Sequence, residues 1–118
     1  MAARVVHIEV PAQDADRAQG FYEGLLGWQL GQVMPEQDYR MADLGEGQGA
    51  AIFPSDSAGD GLSVYFGVDD IGASLAKVRE LGGQAEDKMP VPGMGWFAPC
   101  KDPEGNAFSL WQTDSAAG

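Results

Sequence analysis

Arg4 to Val10 is a predicted strand in which Val6, Ile8 and Val10 alternate with His7 and Glu9 and so share one face. Val5, His7 and Glu9 fall on the other face, which must meet solvent or a cavity. The period changes at Asp14. From there to about Leu26, Ala15, Ala18, Phe21, Tyr22, Leu25 and Leu26 recur at helical spacing, with Asp14 placed to cap and Gly27 to stop the helix. Trp28 to Val33 reads as a strand and Pro35 to Asp38 as a loop. Tyr39 to Leu44 and Ala50 to Phe53 form a hairpin around the glycine-rich turn Gly45 to Gly49. Pro54 to Gly61, PSDSAGDG, is a break in composition and reads as a linker.

The same order then restarts. Leu62, Val64, Phe66 and Val68 alternate with Ser63, Tyr65 and Gly67 on a second strand. Asp69 or Asp70 caps a second helix with Ile71, Leu75, Val78 and Leu81 on its apolar side, ended by Gly82 and Gly83. Gln84 to Met89 is a short strand, and Pro90 to Gly95 is read as a loop, a connection or a lid, with Met94 to adapt to ligand shape. Phe97 to Cys100 and Ala107 to Trp111 form a closing hairpin. Its Asp102-Pro103-Glu104-Gly105 turn carries the residues a type I turn wants. Ser115 to Gly118 is a small-residue tail expected to fray. One offset, 56 residues, sets Ser63 over His7, Ala98 over Ala42 and Gly105 over Gly49, as an internal repeat predicts. The expected organisation is a single domain over 1–118: a βαβββ module over about 4–54, a linker over 55–61, and a second βαβββ module over about 62–112.

Composition narrows the partners. A chain of 118 residues buries roughly two thirds of its unfolded surface as one domain. Its net charge of −11 argues against nucleic acid and anionic membranes, and it favours neutral or cationic ligands. No stretch is long and apolar enough to span a membrane, and none reads as a signal sequence, so a cytoplasmic protein is expected. The single cysteine, Cys100, allows no intrachain disulfide and is read as a small buried hydrophobe, not a nucleophile.

Two groups of residues carry candidate chemistry. His7 and Glu9 stand two apart on one strand, so both side chains point the same way and form an acid-base pair if a cavity lies over them. The alternative is a histidine bonded to a neighbour with Glu9 at a solvated mouth. Tyr65, Trp96 and Trp111 are amphipathic aromatics on strands, suited either to a flat organic ligand or to plain core packing.

The closing segment FAPCKDPEGNAFSLWQ, Phe97 to Gln112, resembles the signature ending a module of the vicinal oxygen chelate superfamily. That superfamily includes glyoxalase I, extradiol dioxygenases, fosfomycin-modifying enzymes and bleomycin-binding proteins. The duplicated βαβββ order and the helix DADRAQGFYEGLLGW, Asp14 to Trp28, extend the resemblance over essentially the whole chain. It implies an α+β fold in which the mixed sheets of two modules curl around a concave pocket. Catalytic members hold a divalent metal there, one ligand coming from each of four strands, with open positions for vicinal substrate oxygens. Carried onto this chain, those positions are His7, Phe53, Ser63 and Ser109, of which only His7 is a good ligand. The resemblance with these departures implies a protein of the glyoxalase and bleomycin-resistance type binding a small organic molecule without metal. His7, Ser63, Tyr65, Trp96, Ser109 and Trp111 are its ligand contacts. The alternative is a lyase, isomerase or dioxygenase using His7 and Glu9 as catalytic residues, with or without Zn, Ni, Mn or Fe. Short members commonly pair as homodimers, and the same is expected here.

Overall fold

In the computed structural model, which describes Ala2 to Gly118, both helices begin at the expected aspartates. Helix α1 (Ala15–Leu26) is capped by Asp14, whose carboxylate accepts from the Arg17 amide at 3.0 Å. Helix α2 (Ile71–Glu80) is capped in the same way by Asp70 on the Ala73 amide at 3.1 Å. Such a cap satisfies one of the amides that a helix start leaves unpaired. Gly27 closes α1 in the left-handed conformation, φ 72°, and gives its amide to the Glu23 carbonyl.

The chain divides into two compact units, His7–Ser63 and Val64–Gly118, with β1 residues up to Val6 grouping with the latter. In the first, β1 (Arg4–Ala12) runs parallel to β4 (Gln48–Pro54), which pairs antiparallel with β3 (Arg40–Gly45). The short β2 (Gly31–Gln32) adds to β3. In the second, β5 (Ser63–Gly67) runs parallel to β9 (Ala107–Thr113), which pairs antiparallel with β8 (Gly95–Lys101). Two short strands, β6 (Gln84–Ala85) and β7 (Met89–Val91), both pair with β8. Each unit is thus a helix on one face of a mixed sheet, the expected βαβββ order, with one strand more in the second.

Each helix covers its own core. Val10, Ala12, Ala15 and Ile52 are buried in the first unit, with Ala18, Tyr22, Trp28 and Leu30 packed around them. Ile71, Leu75, Ala98, Cys100 and Leu110 are buried in the second, with Phe66, Val78, Trp96 and Phe108 packed around them. The strand faces opposite the helices carry His7 and Glu9 in one unit and Ser63 and Tyr65 in the other, as alternation requires.

Four local expectations are corrected. The strand expected over Trp28 to Val33 shrinks to two residues because its start is tied to α1. Trp28 stacks on Tyr22 at 5.1 Å, and the Leu30 amide donates to Glu23 at 3.0 Å. The expected strand over Gln84 to Met89 and loop over Pro90 to Gly95 become β6 and a β7–β8 hairpin, since Met89 pairs with Phe97 and Val91 with Gly95. The tail is held rather than frayed: the Gly93 amide donates to the Ala117 carbonyl at 2.9 Å, and Ala117 is buried. Finally, α1 turns only part of its apolar stripe inward. Ala15, Ala18 and Tyr22 pack, whereas Phe21 and Leu25 stand 60% and 65% exposed, about 100° further round for each step of one residue.

Candidate functional site

In the first unit, three polar side chains from two elements meet on the sheet face away from α1. His7 and Glu9 project from β1, and Tyr39 enters from the residue before β3. The Tyr39 hydroxyl donates to Glu9 Oε2 at 2.6 Å and lies 2.8 Å from His7 Nε2. A phenol has one proton. Tyr39 gives it to the carboxylate, and its oxygen meets His7 Nε2 in a contact whose donor depends on the imidazole tautomer, so the three groups form one imidazole–phenol–carboxylate chain. The aromatic rings run nearly parallel, His7 to Tyr39 at 6.4 Å and Tyr39 to Phe53 at 6.3 Å between centroids.

The sequence makes room for this. In the sheet order β3–β4–β1, a side chain from β3 reaches β1 only by crossing β4. Strand β4 places Gly49 and Ala51 opposite His7 and Glu9, and a Cβ on Gly49 would come within 3.3 Å of His7 Nδ1. Tyr39 is held from the other side of the sheet as well. Its neighbour Arg40 bonds Asp38 at 2.8 Å, and Asp16 and Gln19 of α1 at 2.7 and 2.9 Å. The Tyr39 amide donates to Gln32 at 3.0 Å. These carboxylates raise the Arg40 pKa, first of all through the Asp38 hydrogen bond.

His7 is half-buried, and that burial lowers its pKa, with the charge of Glu9 opposing the shift. The imidazole is therefore neutral near pH 7. As a metal site the face fits poorly. His7 Nε2 is engaged by the Tyr39 hydroxyl, the Ala51 and Phe53 side chains have no donor atoms, and Glu9 already accepts from the phenol. Among the described residues, no three His, Cys, Asp or Glu side chains converge. Structural zinc sites draw four donors and catalytic ones three, and this set supplies one imidazole and one carboxylate.

In the second unit, Tyr65 of β5 is paired with Ser109 of β9 and Gly67 with Trp111, on the sheet face away from α2. Ser63 shares that face two residues before Tyr65. Ser109 is buried, while Trp111 lies against Gly95 and donates its indole N–H to Thr113 at 3.0 Å. Trp96 is not with them. It sits on the α2 face, packed against the core, donating to Asp114 at 3.0 Å beneath the Lys88 ammonium, 4.4 Å from its ring centre. Cys100 is buried nearby, and burial raises its thiol pKa, as expected of an inert cysteine.

The parallel ladders also correct one correspondence between modules. Glu9 pairs with Ala51 and Tyr65 with Ser109, so Ser109 matches Ala51, and Trp111 matches Phe53. The whole closing hairpin is displaced: Asp43 pairs with Gly49 and Lys101 with Ala107, so its offset is 58 and Gly105 matches Gly47, the two extra residues lying between β5 and β8. The metal-position reading is unaffected by the shift, since alanine coordinates no better than phenylalanine.

An open groove of about 550 Å³ lies at the start of α1, lined by Val10, Asp14, Arg17, Phe21, Tyr22 and Ala58. None of the expected ligand contacts lines it.

The fold recurs among solved structures. The hypothetical protein BH1468 from Bacillus halodurans C-125 superposes with a TM-score of 0.73 at 17% identity, covering 100% of this chain and 99% of that one. Methylmalonyl-CoA epimerase from Mycobacterium tuberculosis gives a TM-score of 0.67 at 18% identity, over 93% and 87% of the two chains. At these identities the likeness concerns the fold. The sequence pattern of the Glyoxalase/Bleomycin resistance protein/Dioxygenase superfamily matches residues 4–110, and the chain belongs to that superfamily. CFP32 of M. tuberculosis, named as a candidate glyoxylase, is 32% identical over 107 residues. The match takes in 86% of this chain but only 41% of CFP32, so the chain spans about two fifths of that relative's length. A glyoxylase-like domain-containing protein from Didymella fabae is 27% identical over 87% of this chain and 88% of its own.

Proposed function

We propose that this protein binds a small organic molecule, neutral or cationic, on the sheet face carrying His7, Glu9 and Tyr39, without a divalent metal. The single observation that supports this reading is the hydrogen-bonded His7–Tyr39–Glu9 chain. It fixes polar groups beside the Tyr39 and Phe53 rings and engages Nε2 of the chain's one histidine. Polar anchors against an aromatic wall are what a small-molecule site requires. The net charge of −11 favours the same class of ligand. The matching face of the second module, with Ser63, Tyr65, Ser109 and Trp111, offers the same mix of hydroxyls and aromatics. Trp96, on the helix face, is left out of the proposed contacts. The protein is further proposed to act in the cytoplasm; among the described residues no helix is long and apolar enough to cross a membrane. It is also proposed to pair as a homodimer.

The test joins two measurements on the full chain. Elemental mass spectrometry after incubation with Ni, Zn, Mn or Fe(II) is expected to find no stoichiometric metal. A thermal-shift screen of cationic and aromatic compounds is expected to find ligands whose stabilisation is lost in His7→Ala. A ligand at about one hundred times its Kd adds about 2.7 kcal/mol of stability, a readily measured shift. Near-stoichiometric metal that disappears in His7→Ala would overturn the reading.

A second reading is proton-transfer catalysis by the same residues, as a lyase or isomerase. It is favoured by the joining of an imidazole to a carboxylate through a phenol, which is an acid-base arrangement. Methylmalonyl-CoA epimerases, which share the fold, have been solved with CoA esters bound. The acidic surface of this chain disfavours so anionic a substrate. Incubation of uncharged hydroxy-ketones in D2O distinguishes the readings: enzyme-dependent deuterium incorporation that is absent in His7→Ala identifies a catalyst.

A further inference from the structure

We propose that Tyr39 is a positioning residue that holds His7 in the tautomer protonated at Nε2 and couples it to Glu9. The inference deepens the proposed function, because it assigns the residue that makes His7 and Glu9 one unit. The two side chains are joined by a hydroxyl that takes the Nε2 proton at 2.8 Å and gives its own to the carboxylate at 2.6 Å. Because Glu9 Oε2 accepts from the phenol, the phenol oxygen is left to accept from the imidazole, and this sets the chain's direction.

The phenol is itself over-determined. Its ring stacks on Phe53. Its backbone is tied to β2 through Gln32 and Val33. The next residue, Arg40, is locked to Asp38 and to α1 on the opposite face. Small residues on β4 let the side chain pass over that strand. This arrangement aims one hydroxyl at two β1 side chains, and packing alone would not require that hydroxyl.

The experiment uses the fact that the chain has one histidine. Proton–nitrogen NMR of the full chain, without ligand and near pH 7, reports the protonated ring nitrogen and how fast its proton exchanges with water. The expected wild-type result is a single neutral form with Nε2 protonated and its proton protected. Tyr39→Phe keeps the ring and its stacking but removes the hydroxyl. It should admit a second tautomer and speed exchange of the ring proton by roughly five- to tenfold, the scale of one net hydrogen bond.

A wild-type imidazole protonated at Nδ1 overturns the proposal, and so does Tyr39→Phe with unchanged ring-proton protection. If Tyr39→Phe does not fold, the wild-type spectrum and Glu9→Gln decide. Glu9→Gln, which removes the charge fixing the chain's direction, should also weaken Nε2–H protection, and unchanged protection overturns the coupling. No ligand enters these measurements. Failure here therefore leaves the binding reading standing, and failure of the ligand screen leaves this result standing.

Discussion

Acidification should weaken this protein through His7. The imidazole is half-buried, and desolvation holds its pKa below the ordinary value of 6.5, with Glu9 offsetting part of the shift. The unfolded chain therefore binds a proton that the folded chain resists. The contribution is intact above pH 6.5 and is lost as pH falls from there toward the folded-state pKa. For one proton the slope cannot exceed about 1.4 kcal/mol per pH unit, and Glu9's attraction keeps it below that limit. Protonation also relieves the repulsion of a chain carrying −11 charges, which acts in the opposite direction. His7→Gln separates the two effects. It keeps an amide able to donate to Tyr39 but does not titrate, and the global charge effect acts on both proteins. Urea unfolding of each, at steps between about pH 7.5 and about pH 5.5, where histidine is the side chain whose ordinary pKa falls in range, gives the comparison. Wild type should lose stability relative to His7→Gln as pH falls. A relative gain would refute the reasoning, because it would mean that Glu9's attraction outweighs burial and that the imidazole is charged in the native state.

Two further perturbations test the fold beneath the site. Ile71→Ala removes a fully buried side chain at the first turn of α2 and should cost about 2–5 kcal/mol by urea unfolding; a loss under about 1 kcal/mol would mean that the α2 core is not packed as described. Gly95→Ala would place a Cβ 2.5 Å from the Trp111 ring and against the Gln112 carbonyl. It should cost about 1–3 kcal/mol and alter the near-UV circular dichroism of the indole, and wild-type stability with an unchanged spectrum would refute the close approach.

The helices, their caps, the repeat and the separation of His7 and Glu9 from the helix-facing positions were all legible in the sequence. Each depends on local chemistry: an aspartate that caps its own helix, a glycine that ends one, and a two-residue alternation that sends Val10 one way and Glu9 the other. The closing turn belongs to the same class, because Asp102 bonds the Glu104 and Asn106 amides within five residues of itself.

What only the tertiary structure decided depends on which strands lie beside one another. Tyr39 gave no signal alone, since nothing local shows that a residue before β3 reaches over Gly49 and Ala51 to join two residues of β1. The pairing of Ser109 with Tyr65, and so its match to Ala51 and not Phe53, follows from a parallel register that the two-residue longer segment between β5 and β8 conceals. Trp96 and Trp111 are both strand tryptophans, yet the β8–β9 register turns one to the helix and the other away. The tail, Ser115 to Gly118, looks unanchored until β7 and β8 supply the turn whose amide bonds it. Sequence determines side-chain direction within an element, because that is set by backbone geometry over a few residues. Which side chains meet is set by long-range pairing, and that is where the candidate site was assembled.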